Sequence, residues 1–287
     1  MKIGVIVGLL RKPLLEGIDF AAELGVDGVQ ISVRPGDSDY NLVACGEAEL
    51  AAIRRRCEAN RIVISALCGD LGGSFQAARE CMDRVELMKQ VVDRAQSLGV
   101  KVITTHIGCI PDDRRDPVYA IMLLSVRAAA EYAARRGVVF AVETGPEKAD
   151  VLKAFLEEVG SAGLGVNLDP ANLRMVSCED PVYAVGVLAP YIVHTHAKDG
   201  VNLYPGSAAK AYGMRNADGS RRELLGRAAE YREVPLGQGQ VPWDDYLAAL
   251  RQAGFDGFLT IERECGEDPV RDIGLAVGFL KRKIGAR

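Results

Sequence analysis

Short apolar runs alternate with longer stretches of helical periodicity from one end of the chain to the other. The runs at about 2–8, 27–33, 61–67, 100–106, 138–143, 164–169, 191–197 and 257–262 are strand-length and rich in aliphatic residues. Between them, segments at about 13–24, 46–59, 77–98, 115–136, 148–159, 180–189, 242–253 and 268–283 carry apolar residues at helical spacing. In one of these, Val118, Ile121, Met122, Ser125, Ala129 and Tyr132 mark a core-facing stripe. Apolar runs without alternation read as parallel strands buried on both faces. Repeats of strand then helix imply a parallel sheet, and eight of them suffice to close it. The pattern predicts an α/β chain folded as a (β/α)8 TIM barrel, a single domain over 1–287.

The joints agree. AELGVDGV, AQSLGVKVI, AARRGVVF and RQAGFDGFL share one grammar of helix, glycine, strand. Glycine just past a helix accepts the left-handed conformation that ends it. One long stretch, about 199–240, shows neither period. It follows the seventh predicted strand, so it is expected to hang over the face where the strands end, as a lid or binding loop; a subunit-contact insertion is the other reading.

Five of the apolar runs close on a polar residue: His106, Glu143, Asp169, His196 and Glu262. Side chains two apart on a strand share a face. Thr104 with His106, Ala141 with Glu143, Asn167 with Asp169, His194 with His196 and Thr260 with Glu262 then point inward, while Val142, Leu168 and Ile261 point out toward the helices. In such a barrel the strand C-termini converge on one face, and that face carries the active site. Three carboxylates converging there repel one another unless a cation offsets the charge. Glu143, Asp169, His196 and Glu262 are therefore the candidate ligands of one divalent metal ion. Oxygen donors with one imidazole suit Mn²⁺ best, then Mg²⁺ or Co²⁺, with Zn²⁺ also compatible. His196 is the better imidazole ligand, with Asp199 nearby to orient it. His106 is expected to orient substrate or water. His194, one layer below His196, reads as a satisfied interior histidine and is kept as a substrate-side candidate. Two other readings exist: Glu262 pairing with Arg263 or Arg174 at the rim, and Asp169 capping the turn that begins at Pro170.

Composition narrows the classes. The chain has 287 residues, 48% hydrophobic and 26% charged, with a net charge of −4. An acidic chain lacks the basic stripe a nucleic-acid surface needs, and no run reaches the roughly 18 apolar residues of a membrane span. The first apolar stretch, KIGVIVGLL, has no basic n-region and reads as a strand, not a signal peptide. The seven cysteines are scattered and include no CxxC pair. That argues for reduced thiols and a cytoplasmic location; Cys68, Cys109 and Cys265 follow predicted strands and fall near the site.

THIG at 105–108, VETG at 142–145, NLDPANL at 167–173, HTHAKDG at 194–200, VPLGQGQVPW at 234–243 and GFDGFLTIERE at 254–264 span most of the chain. In this order they resemble the xylose-isomerase-like barrel superfamily, the sugar phosphate isomerase/epimerase group. The resemblance to its ketose 3-epimerases implies a metal held by Glu143, Asp169, His196 and Glu262, with Glu143 and Glu262 exchanging a proton on opposite faces of the substrate. Two positions depart from those epimerases. Asn172 stands where they have a histidine, and Asn202 where they place a substrate-binding arginine, so substrate contacts differ. Asn172, Lys198, His106 and His194 are the expected substrate contacts, and Lys198, Arg34 or Arg215 could receive a phosphate or carboxylate.

The expected function is a divalent-metal-dependent sugar or sugar-phosphate isomerase or epimerase working next to a carbonyl through an enediolate. It acts on a small molecule, with no nucleic acid or membrane partner, and a homo-oligomer is possible by analogy with the group. An inosose-type dehydratase uses the same base and metal and is the alternative. A non-catalytic sugar-binding barrel has no need of two metal-bound glutamates. A three-zinc endonuclease needs about five histidines, and the chain has three.

Overall fold

The computed structural model describes residues 1–72 and 74–285. Eight parallel strands close into a barrel: β1 (Lys2–Ile6), β2 (Gly28–Ser32), β3 (Val63–Cys68), β4 (Val102–Thr105), β5 (Val139–Glu143), β6 (Leu164–Leu168), β7 (Ile192–Ala197) and, last in the chain, β10 (Phe258–Ile261). Strands adjacent in sequence pair in turn, and β10 pairs with β7 on one side and β1 on the other. The eight predicted strands are these eight, and helices cover the outside between them. The ends move by a few residues. Helix Cys81–Leu98 starts later than its periodicity suggests, and β1 stops at Ile6 because Val7–Leu10 coil into a 3₁₀ turn. Helix Cys81–Leu98 ends on Gly99 at φ 73°, as the joint grammar requires.

Packing fixes the barrel floor. The Phe258 ring occupies space that glycines leave open. A Cβ on Gly28 would stand 2.5 Å from its Cε1, and one on Gly4 would stand 3.4 Å from its Cδ1. The apolar core fills the space between strands and outer helices, while the interior of the barrel turns polar toward the strand C-termini, with Gln30, Thr104, Asn167, His194 and Thr260 all buried.

The stretch at 199–240 is more ordered than its lack of periodicity suggests. β8 (Asp199–Tyr204) and β9 (Glu230–Val234) form an antiparallel hairpin, and the residues between them include a short helix, Ala208–Ala211. The strands read DGVNLY and EYREV, mostly polar and largely exposed beyond Gly200, so no alternation announces them. The base of the hairpin is pinned by Asp199. Its Oδ1 accepts from Gly200 N (2.9 Å) and Val241 N (3.2 Å), and its Oδ2 from Gly237 N and Trp243 Nε1, both at 2.9 Å.

Candidate metal centre

Each of the four residues expected to converge stands at the C-terminal end of its strand. Glu143 ends β5, Asp169 follows β6, His196 lies near the end of β7, and Glu262 follows β10. One donor atom from each lies within 4.8 Å of the other three. Around His196 Nδ1, Glu262 Oε2 stands at 3.2 Å, Glu143 Oε1 at 3.4 Å and Asp169 Oδ2 at 3.8 Å. Donors bound about 2.1–2.4 Å from a common ion stand roughly 3–5 Å apart. Asp169 does double duty: Oδ1 caps the turn after β6 by accepting from Ala171 N and Asn172 N, while buried Oδ2 has no hydrogen-bond partner among the described residues. Glu262 Oε2 is likewise buried without a well-directed hydrogen bond, although the Lys198 ammonium is 3.1 Å away. Two buried carboxylate oxygens, one without a partner and one facing only cationic groups, converging with an imidazole nitrogen, are what a divalent cation satisfies. The donor set fits such an ion.

A polar layer beneath fixes the imidazole. Gln30 Nε2 donates to Thr104 Oγ1 at 3.2 Å, which turns its Oε1 toward His196 Nε2, also at 3.2 Å. With an ion bound, a proton on Nε2 would make that bond and leave the Nδ1 lone pair for the metal. Gln30 holds the position that sequence reasoning gave to Asp199, and this corrects that expectation: Asp199 is committed to the hairpin base. His194 is 1% exposed, with Nδ1 on Asn167 Oδ1 (2.9 Å) and Nε2 on Thr260 Oγ1 (3.0 Å). Both of its ring nitrogens are spent inside the barrel, so it has none for a substrate. Asn167 Nδ2 in turn donates to Glu143 Oε2 at 3.2 Å.

The other expected substrate contacts have defined partners. Asn172 Nδ2 donates to Glu143 Oε1 at 3.1 Å and so steadies that carboxylate. Lys198 Nζ sits among Glu264 (2.9 Å), Glu262 (3.1 Å) and Glu233 (3.8 Å), so its charge is matched by acids and is not in surplus for an anion. Arg34 lies over the Tyr40 ring, its guanidinium carbon 5.1 Å from the ring centroid. Arg263 pairs with Glu233 and Asp272, which removes the rim pairing considered for Glu262. Three residues at or beneath the mouth escaped the sequence reading. Asp70 follows β3 and receives His106 N at 2.7 Å. Gln30, beneath the mouth, sits mid-strand in β2, whose other polar residue is Ser32 at its end. Tyr212, from the segment between β8 and β9, reaches across the mouth: a Cβ on Gly145 would meet its hydroxyl at 2.2 Å, and its ring lies 5.8 Å from that of His106. Asp70 was findable, because LCGD is one more apolar run ending on a charge.

Burial disfavours the charged His196 ring, but Glu143 and Glu262 outweigh burial and hold its pKa well above the ordinary value. Burial pushes the Asp169 carboxyl up, and it drives the Cys68 thiol well up, which leaves that cysteine a poor nucleophile. At the rim, burial alone would lower His106, yet Glu143 and Asp70 raise it to about 10. Burial alone would raise Asp70, yet the His106 ring and backbone N–H bring it down to about 2. These side chains are 35% and 40% exposed, so solvent screening shrinks what their pairing is worth. The raised His106 contributes stability fully below its unfolded value of about 6.5, lost as pH rises through about 10. The lowered Asp70 contributes stability above about 3.9, lost as pH falls through about 2. Urea midpoints of the metal-free protein between roughly pH 6 and 10 are therefore expected to fall less in His106→Gln than in wild type.

With this geometry in hand, the chain was compared with known proteins. The sequence model of the xylose isomerase-like TIM barrel matches residues 18–283. The chain belongs to that family. Among solved structures, a xylose isomerase domain protein from Planctomyces limnophilus aligns over 99% of both chains at 26% identity, with a TM-score of 0.78. A D-tagatose 3-epimerase-like protein aligns over 99% of both chains at 18% identity and TM-score 0.73. A probable 3-DHS dehydratase from Bacillus anthracis covers 98% of this chain and 99% of its own at 20% identity, TM-score 0.69. At these lower identities the likeness is one of fold. A search of curated proteins finds no match. Among the described residues, no helix of this xylose isomerase-like barrel is long and apolar enough to cross a membrane.

Proposed function

We propose that this barrel is a divalent-metal-dependent isomerase or epimerase of a sugar or sugar derivative, moving a proton on the carbon next to a carbonyl. The observation that carries the reading is the pairing of Glu143 and Glu262 in one donor cluster. They approach from strands separated by β6 and β7, so their carboxylates reach the centre from two sides. A divalent ion there, Mn²⁺ by preference, would supply Lewis-acid polarisation of a carbonyl. Glu143, steadied by Asn167 and Asn172, and Glu262, held beside Lys198, are the proton-transfer groups. Asp169 and His196 complete the ligand set and take no proton in the reaction. His106 stands 3.6 Å from Glu143 and partly exposed, placed to contact a substrate oxygen.

One observation favours a second reading, an inosose-type dehydration. The buried Lys198 ammonium beside Glu262 is a proton donor for a departing β-hydroxyl. A single experiment separates the two. Metal-loaded protein is incubated in D₂O with a panel of ketoses, sugar acids and inososes. Deuterium appearing at the carbon next to the carbonyl, with substrate mass otherwise kept, is the expected outcome. A product lighter by one water assigns the dehydratase, and neither change in any compound contradicts proton transfer at this site.

A further inference from the structure

A cavity of about 720 Å³ opens beside the metal centre, with Asp70, His106 and Tyr212 on its near side. Three guanidinium groups share its lining. Arg84, from helix Cys81–Leu98, and Arg215 and Arg221, from the segment between β8 and β9, all line it. Arg84 is 5% exposed and lies against the Phe75 ring at 5.3 Å. Its Nη2 donates to Gly69 O (2.9 Å) and Thr105 Oγ1 (3.2 Å), but among the described residues Nε and Nη1 have no hydrogen-bond partner. A buried guanidinium with two of three nitrogens unbonded is costly unless something completes it. Asp70 shares this wall, but its oxygens are taken by His106 N, His106 Nδ1 and Thr105 Oγ1. Arg215 Nη1 donates to Gly219 O (3.3 Å) and Glu80 Oε1 (3.4 Å), and Arg221 Nη2 to the Lys210 carbonyl (3.5 Å); all three contacts are long, so both guanidinium groups keep donors to offer.

We infer that this cavity is an anion subsite, and that the substrate is a sugar derivative bearing a carboxylate or phosphate which Arg84, Arg215 and Arg221 receive while its carbonyl end reaches the metal centre. This rests on the proposed proton-transfer reading and names the substrate class it lacks. Guanidinium groups suit the task because their forked N–H donors match the oxygens of either anion. The contacts run without a break: Arg84 touches Thr105, Thr105 touches Asp70, Asp70 holds His106, and His106 faces Glu143. An anion at Arg84 thus places the rest of a small sugar over the carboxylates. Of the anion candidates offered by the sequence, Lys198 is consumed by acids, whereas Arg215 lines this cavity.

The test is calorimetric titration of the full chain, both metal-loaded and stripped, with inorganic phosphate and with malonate. Wild type is expected to bind at least one of them with or without metal. Arg84→Met and Arg215→Ala should each weaken that binding tenfold or more, while Glu262→Gln keeps it within twofold. Arg215 is partly exposed, so its variant reports even where loss of the buried Arg84 unfolds the chain. Phosphate binding alone assigns a sugar phosphate and malonate binding alone a sugar acid. No binding in wild type, or wild-type affinity in Arg215→Ala and in any folded Arg84→Met, overturns the subsite. Failure of the proton-transfer reading looks different: anion binding stays intact while no carbonyl substrate exchanges deuterium.

Discussion

Glu262→Gln is expected to keep the fold and lose between roughly 10²- and 10⁴-fold in turnover, the range for removing a positioned proton-transfer group. The amide preserves the side-chain shape at a position that follows β10, but it cannot take a proton. It also withdraws the negative charge that faces His196 Nδ1 at 3.2 Å and Lys198 Nζ at 3.1 Å. Glu143→Gln should lose a comparable factor, because each glutamate serves a different side of the same carbon. The pair acts as a unit, so the double variant should be little worse than either single one. Asp244→Asn serves as the control; that carboxylate is 81% exposed and pairs with Lys283 of the last outer helix. Deuterium exchange rates on the metal-loaded proteins check this, and near-wild-type exchange in Glu262→Gln would sink the assignment of that residue.

Asp199→Ala is expected to cost about 4 kcal/mol of stability, the largest effect anticipated for a residue outside the donor cluster. The carboxylate is 1% exposed and satisfies four donors: three backbone N–H groups and the Trp243 indole. Each buried donor left unpaired costs about 1–3 kcal/mol, partly recovered where water enters. The space is already full, since a Cβ on Gly239 would stand 2.1 Å from Asp199 Oδ1. Asp199→Asn should fall between, because its amide turns an acceptor into a donor facing two donors. Urea unfolding curves of the two variants check the order. Equal stability of Asp199→Ala and wild type would show that the hairpin base is held by something else.

The barrel was readable because its signals repeat. Helix, glycine, strand recurs at Gly25, Gly99, Gly137 and Gly254, and all four glycines have positive φ. Strand parity also brought Glu143, Asp169, His196 and Glu262 to one place, because a side chain's face on a regular strand follows from counting. What escaped lies where counting gives nothing. Tyr212, Arg84 and Arg221 reach the mouth from a mostly polar insertion and from a helix, and only the closed three-dimensional arrangement brings them there beside Arg215, which the sequence had offered as an anion candidate. Gln30 was hidden because it is uncharged and falls mid-strand, whereas the legible residues are charges or imidazoles at strand ends. Asp199 misled for a related reason: nearness in sequence to His196 says nothing of direction, and the hairpin takes its carboxylate the other way.

The most direct test of the metal centre is the metal content of the purified chain, measured by elemental analysis beside Asp169→Asn. That variant keeps the Oδ1 that caps Ala171 and Asn172 and replaces only the unpartnered Oδ2. About one Mn, Co, Mg or Zn per wild-type chain, lost or sharply reduced in the folded variant, is the predicted result. A wild-type chain that carries none and takes up none on addition would contradict the account, since the buried Asp169 Oδ2 would then stand without the cation that explains it.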